Sequence, residues 1–140
     1  MADRLNATLF WESALRFSAL PGSGHRITVD SPSRPGHAGP SPMELLLIGV
    51  AGCTAMDVVA ILEKMREPLA GLDVEVTGER SRSNPKYFTS MSIVYRLRGD
   101  GLAREKVQRA VELSHSTYCS ALASLRPDCK VTSSIEFLGG

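Results

Sequence analysis

The chain has 140 residues and a formal net charge of +1, with 16 Lys and Arg residues scattered among 15 Asp and Glu residues. This length fits one domain over residues 1–140, and the balanced charge argues against nucleic acid and anionic membranes as partners. Because the amino terminus carries Asp3 and no basic stretch followed by an apolar run, we predict no signal peptide and expect a cytoplasmic protein.

The first 40 residues predict three strands and a loop. Residues 5–30 hold short stretches of Leu, Phe, Trp, Ile, Val and Thr, interrupted near 12–13 and 21–24. Such interruptions are turn signals, so we expect an antiparallel three-stranded meander. Residues 31–40 are rich in proline and glycine, which is typical of an ordered loop or a mobile connector that could wall a site.

The next segment predicts a long helix. Ser41 is a typical N-cap residue, Pro42 suits the first helical position, and Glu44 can close a capping box with Ser41. An apolar pattern then continues to about Leu62, and a proline and a glycine shortly afterwards close the helix.

The composition of this helix bears on its surroundings. Apolar residues surround the whole axis, which predicts a helix buried on all sides. A membrane span is the rival interpretation, but Asp57 at its centre would cost roughly 3 kcal/mol in lipid. We expect a homodimer, because small residues would let a second copy approach closely. These residues are Gly49, Gly52, Ala55 and Ala60.

The remaining sequence predicts a hairpin, an amphipathic helix and a last strand. Residues 72–80 and 88–98 alternate in polarity like half-buried strands. Between 102 and about 117, small or apolar residues recur at helical spacing. They are Val107, Ala110, Val111 and Ser114. Residues 130–137 predict the last strand. The fold class is therefore α+β, with the order β-β-β-α-β-β-α-β.

The chain has three cysteines, Cys53, Cys119 and Cys129. An odd number without a CxxC pair argues against both a disulfide framework and a zinc site in a reducing compartment. The thiols are therefore catalytic or inert. A buried free cysteine commonly behaves as a small apolar residue, so residue type alone favours the inert interpretation.

Two segments resemble a known family. The first cysteine helix of the OsmC/Ohr family is similar to PSPMELLLIGVAGC followed by TAMDVV, and its second cysteine site is similar to ELSHSTYCSAL. The similarity extends over nearly the whole chain and is greatest to the YhfA-like branch. It implies an intertwined α+β homodimer, with two long central helices packed against sheets and two sites at the subunit interface.

The resemblance also implies a chemistry, that of a cysteine-based peroxidase of the oxidative stress response. In the peroxidase members the first cysteine attacks the hydroperoxide as a thiolate, becomes a sulfenic acid and is resolved by the second cysteine as a disulfide. By this correspondence Cys53 is the peroxidatic thiol and Cys119 the resolving thiol. An external thiol recycles the pair, and neither a metal nor an organic cofactor is expected.

The match is incomplete around the first thiol. The peroxidase members carry a Glu directly after the helix proline, where this chain has Met43. Glu44 is nine residues before Cys53, which places it on the opposite helix face at about 100° per residue. We therefore predict that Glu44 caps the helix. The family also places an Arg beside the thiol, and no arginine before the helix aligns with that position. These arginines are Arg16, Arg26 and Arg34.

Two further polar residues are close to the thiols in sequence. Asp57 is one turn after Cys53, and because its charge opposes a thiolate we interpret it as a structural acid with backbone or Arg partners. His115, four residues before Cys119, could activate that thiol or begin a metal site. Without a further ligand at suitable spacing, it is interpreted as a partly solvated helix residue. Cys129 is interpreted as a bystander.

Two alternatives to a thiol peroxidase stay open. A non-catalytic dimer could use an apolar interface cavity to bind a small hydrophobic molecule, and Met43 in place of the family's Glu favours this. A redox sensor could instead use its disulfide to change its affinity for a protein partner.

Overall fold

The computed structural model describes residues 3–139, which form two compact units with their boundary in the chain between Leu46 and Leu47. The N-terminal unit contains three strands, β1 (Ala7–Ser13), β2 (Arg16–Pro21) and β3 (Ile27–Val29). Neighbouring strands pair antiparallel in the order β1-β2-β3, which confirms the predicted meander. Every residue of β1 is exposed, although the strand carries Leu, Phe and Trp side chains.

A buried carboxylate orders the loop after β3. Asp30 is 4 % exposed. Its oxygens accept hydrogen bonds from the Ala38 N–H at 3.0 Å, from Arg16 Nε at 3.0 Å and from the Ser31 N–H at 2.8 Å. These bonds lower the pKa of Asp30 to about 2, and the bond from Ala38 has the largest effect. The proline-rich loop is therefore an ordered one.

Helix α1 (Pro42–Lys64) begins at the predicted capping box. The Glu44 N–H donates to Ser41 Oγ at 3.2 Å, and the Ser41 N–H donates to Glu44 Oε1 at 2.9 Å. Two backbone donors of the first turn are thereby satisfied by side chains. The helix continues two residues past the predicted Leu62 and ends before Arg66, which adopts a left-handed conformation (φ 58°).

We expect Ser41→Ala to lower the free energy of unfolding by about 1 kcal/mol, because the substitution removes the hydroxyl that accepts the Glu44 N–H. Glu44→Gln is the matched control, since its amide oxygen can still accept the Ser41 N–H. Urea unfolding at equal protein concentrations measures both. Unchanged stability in Ser41→Ala would contradict this account of the helix start.

Only one stripe of α1 is buried within the chain. The buried residues follow each other at every fourth position, and they are Val50, Thr54, Val58 and Leu62. Large apolar side chains elsewhere on the helix are exposed, and they are Leu46, Ile48, Met56 and Val59. The prediction of a helix buried on all sides is therefore wrong for the single chain, whose own elements do not cover the remaining faces.

Helix α1 is also long and apolar enough to cross a membrane by the criteria of length and composition, and 22 % of its most apolar window is buried. The central helix of a soluble protein meets the same two criteria, so they are weak evidence for a span. Asp57 lies within this helix.

The C-terminal unit contains a three-stranded sheet. Strands β4 (Gly71–Arg80) and β5 (Phe88–Arg98) pair antiparallel, which confirms the predicted hairpin. Strand β6 (Lys130–Phe137) runs parallel to β5 on its other side, so β5 is central. Alternate residues of β5 are buried in the core, and they are Met91, Ile93, Tyr95 and Leu97.

The chain between β5 and β6 is helical. Helix α2 (Arg104–Leu113) buries Val107, Ala110 and Val111, and the fourth predicted core residue, Ser114, is also fully buried. The helix does not continue regularly to Thr117 as predicted. Residues 114–118 form a π-helical turn instead, and a short helix α3 (Ser120–Ala123) follows. The predicted order of strands and long helices is otherwise confirmed.

Candidate functional site

The structure brings the two predicted thiols together. Cys53 is half-buried on α1, and Cys119 is buried with 5 % exposure between the π-helical turn and α3. Their sulfur atoms lie within 4.8 Å of each other, and both cysteines are free. The two thiols are therefore close enough for small side-chain rotations to form a disulfide.

The π-helical turn sets the position of Cys119. The Cys119 N–H donates to the Ser114 carbonyl at 2.8 Å, five residues back, which adds one residue to an ordinary helical turn. The backbone at Cys119 is then extended (φ −74°, ψ 102°), and the residue is the N-cap of α3. Its Sγ accepts a hydrogen bond from the Leu122 N–H at 3.4 Å.

Asp57 is the third member of the group. It is one turn after Cys53 on α1, and a carboxylate oxygen lies within 4.8 Å of both sulfurs. Its Oδ2 accepts a hydrogen bond from the Ser114 hydroxyl at 2.9 Å. We predicted backbone or Arg partners for Asp57, and this prediction is wrong for the residues that the structure describes (3–139). The carboxylate is held instead by the buried hydroxyl of Ser114, which comes from another helix.

Burial controls the protonation of Cys119. Removal from water raises the pKa of this thiol to about 11, and the neighbouring Cys53 contributes in the same direction, while the Leu122 N–H opposes the shift. Cys119 is therefore a neutral thiol at pH 7.

A second polar pair extends this network. The Tyr95 hydroxyl and His115 Nε2 are 2.7 Å apart. Burial raises the pKa of Tyr95 to about 12, and burial lowers the pKa of His115 from its ordinary value. Tyr95 is thus neutral at pH 7 and the neutral form of His115 is favoured, while the His115 tautomer decides which of the two groups donates. The expectation of a partly solvated His115 is confirmed, since the residue is half-buried, and the structure adds Tyr95 as its hydrogen-bond partner.

Two clefts open beside the group. One, of about 480 Å³, is mostly apolar and is lined by Asp57, Ala60, Ile61, Lys64, Met65, Leu113 and Tyr118. Its α1 residues lie on the same helix face as Cys53. The other, of about 540 Å³, is lined by Cys119 and Cys129 together with His115, Arg126 and residues of α3. Cys129, predicted to be a bystander, thus shares a cleft with Cys119.

The family model described as OsmC-like protein matches residues 35–134. The chain belongs to the OsmC-like family. Protein YhfA of Escherichia coli K12 is 37 % identical over 132 residues, which cover 94 % of this OsmC-like chain and 97 % of YhfA.

Solved structures share the OsmC-like fold. A hypothetical protein from Aquifex aeolicus VF5 is 27 % identical, with a TM-score of 0.84 and coverage of 98 % and 99 % of the two chains. The organic hydroperoxide resistance protein OhrB of Bacillus subtilis has a TM-score of 0.65 at 17 % identity, with coverage of 96 % and 98 %. The second likeness establishes the fold alone.

Three of the four charged residues considered for thiol activation in this OsmC-like chain have local side-chain partners, and they are Glu44, Arg16 and Arg26. Glu44 closes the capping box, as predicted from its position in the sequence. Within the N-terminal unit, Arg16 pairs with Asp30, and Arg26 donates to Ser18 Oγ at 2.6 Å.

Sequence reasoning missed Ser114 and Tyr95 as parts of the site. Ser114 was predicted on the buried face of α2, and a hydroxyl there indicates a polar partner in the core. Tyr95 belongs to the alternating pattern of β5, which predicts burial and leaves the partner of its hydroxyl open.

Proposed function

We propose that this OsmC-like protein reduces organic hydroperoxides with the thiols of Cys53 and Cys119. The observation that carries the proposal is that two free sulfurs from different helices lie within 4.8 Å of each other. The organic hydroperoxide resistance proteins among its structural neighbours share this fold and support the choice of substrate class.

The reaction has two steps at the protein. The Cys53 thiolate attacks one peroxide oxygen and the O–O bond breaks. The departing alkoxide takes a proton from solvent, so the products are the Cys53 sulfenic acid and an alcohol. The Cys119 thiol then attacks the sulfenic sulfur, which forms the disulfide and releases water. Cys53 takes the first role because it is half-buried on the same helix face as the α1 residues that line the apolar cleft, whereas Cys119 is buried and neutral at pH 7.

Asp57 has a role in the second step. Its carboxylate lies near both sulfurs and can accept the proton that leaves Cys119, then return it to the departing oxygen as water. The Ser114 hydroxyl holds the carboxylate for this transfer at 2.9 Å. Asp57 thereby supplies proton transfer next to the thiol pair. This chain has Met43 at the position where the peroxidase members carry a Glu.

We assign a different reactant to each of the two clefts, the hydroperoxide to one and the external thiol to the other. The apolar cleft of about 480 Å³ suits the hydrocarbon part of an organic hydroperoxide, and Asp57 and Lys64 are the charged residues in its lining. The cleft of about 540 Å³ contains Cys119 and gives an external thiol access to that side of the disulfide. Attack there forms a mixed disulfide with Cys119 and releases Cys53 as the reduced thiol.

A second candidate function is supported by the apolar cleft itself. Its volume and lining suit a small hydrophobic molecule that is bound without reaction. For both candidates we propose a cytoplasmic homodimer, and the large apolar side chains of α1 that are uncovered in the single chain support the dimer. They differ in whether Cys53 reacts.

Peptide mapping under non-reducing conditions separates the two candidates. After one equivalent of an organic hydroperoxide per chain, we expect a disulfide between Cys53 and Cys119, with Cys129 still alkylatable. Reduced protein handled in parallel without peroxide is the control. Three free thiols after treatment would support hydrophobic binding, and a disulfide to Cys129 would contradict the assigned roles.

A further inference from the structure

The group around the thiols contains three donor atoms of a kind that metals bind. Cys53 Sγ, a carboxylate oxygen of Asp57 and Cys119 Sγ lie within 4.8 Å of one another. We propose that these three residues form a binding site for a thiophilic divalent cation, with Zn²⁺ as the reference ion. Sequence reasoning weighed a metal only through His115 and Cys119, and it lacked Asp57 as a ligand.

The spacing suits tetrahedral coordination. Metal–sulfur bonds of about 2.3 Å and metal–oxygen bonds of about 2.0–2.2 Å place neighbouring donors roughly 3.5–3.8 Å apart. From separations of up to 4.8 Å, the donors need to close by at most about 1.3 Å, which changes in side-chain torsions can supply. Cys53 and Asp57 are four residues apart on α1, the spacing by which one helix presents two ligands to one ion. Cys119 supplies the third ligand from another element.

The outer contacts already orient two of the ligands. The Ser114 hydroxyl donates to Asp57 Oδ2 and leaves Oδ1 available for the ion. The Leu122 N–H donates to Cys119 Sγ, and a hydrogen bond of this kind favours a thiolate. Such outer contacts set the orientation and basicity of metal ligands.

The charges of the group also favour a cation. Binding of the ion displaces the protons of both thiols, and the two thiolates and the carboxylate then supply three negative charges. Asp57 forms no salt bridge among the residues that the structure describes. A divalent ion neutralises two of these charges, and thiolate ligands select Zn²⁺ over Mg²⁺ or Ca²⁺. Three protein ligands leave a fourth position for water or a small ligand.

Metal binding and the thiol chemistry exclude each other. When a hydroperoxide takes two electrons from the sulfurs, it consumes two protons and becomes an alcohol and water, while the sulfurs join as a disulfide. Neither sulfur is then a thiolate ligand, so the ion is released. A bound ion in turn coordinates the sulfur lone pairs that would otherwise attack the peroxide.

The site is tested by titrating the reduced protein with Zn²⁺ in the absence of peroxide and measuring the heat of binding by calorimetry. We expect one ion per chain, and the Co²⁺ form should show sulfur-to-cobalt charge-transfer absorption and the intense visible bands of tetrahedral cobalt. Asp57→Asn should weaken binding at least about tenfold, and Ser114→Ala about tenfold through the lost outer contact. Cys129→Ser is the matched control and should bind like the unaltered protein.

Several results would overturn the metal site. They are the absence of stoichiometric binding, cobalt spectra without sulfur ligation, and equal affinity in Asp57→Asn. Asp57→Asn and Cys129→Ser both keep Cys53 and Cys119, so together they decide between this site and an adventitious one. Because the titration contains no peroxide, its result is independent of whether the protein reduces hydroperoxides.

Discussion

Cys53→Ser is expected to lower the rate of organic hydroperoxide consumption at least about a hundredfold, because it removes the only nucleophile that the proposed first step uses. Serine keeps the volume nearly unchanged and carries no thiolate. The rate is measured as peroxide loss in the presence of a dithiol reductant. Cys129→Ser is the matched control and should retain the rate.

Cys119→Ser should separate the two steps of the reaction. Its Cys53 can still reduce one equivalent of hydroperoxide per chain, but the sulfenic acid then has no resolving thiol. Excess peroxide should therefore convert Cys53 to the sulfinic acid, visible as a mass increase of two oxygens on that peptide. Unchanged turnover in Cys53→Ser, or a Cys53 that stays free of sulfinic acid in Cys119→Ser under excess peroxide, would contradict these roles.

Met56→Glu is expected to break the proposed homodimer. Met56 is 73 % exposed in the single chain, and it lies beside Gly49 and Gly52, where an added Cβ would meet no other atom. A second copy packed closely on this face would have to bury the new carboxylate. A cost of roughly 3 kcal/mol corresponds to about a hundredfold weaker dimerisation.

Sedimentation at micromolar concentration measures this effect. The unaltered protein should sediment at twice the chain mass of 15.1 kDa. Gln108→Glu introduces the same side chain on the exposed face of α2 and should leave the dimer intact. A stable folded monomer of the unaltered protein, or an intact Met56→Glu dimer, would contradict the proposed interface.

The start of α1 and the core face of α2 could be predicted from sequence because both depend on residues a few positions apart. Ser41 and Glu44 cap a helix by local hydrogen bonds. The core positions Val107, Ala110, Val111 and Ser114 follow from helical periodicity alone, although Ser114 lies in the π-helical turn that periodicity did not predict. Both predictions were confirmed.

The site could be predicted only in part. The family resemblance indicated Cys53 and Cys119, but nothing along the chain shows that Ser114 would hold Asp57, because these residues come from different helices. The exposure of α1 was missed for a similar reason. An apolar pattern around a helix indicates that its faces become covered, and it cannot tell whether the same chain covers them.

The π-helical turn makes the meeting of the two thiols depend on chain length. It inserts one residue between the buried Ser114 and Cys119 compared with an ordinary helical turn. Deleting one residue between them would restore α-helical spacing and rotate everything that follows by about 100°. Substitutions within this turn are therefore easier for the thiol pair to accommodate than a change of a single residue in its length.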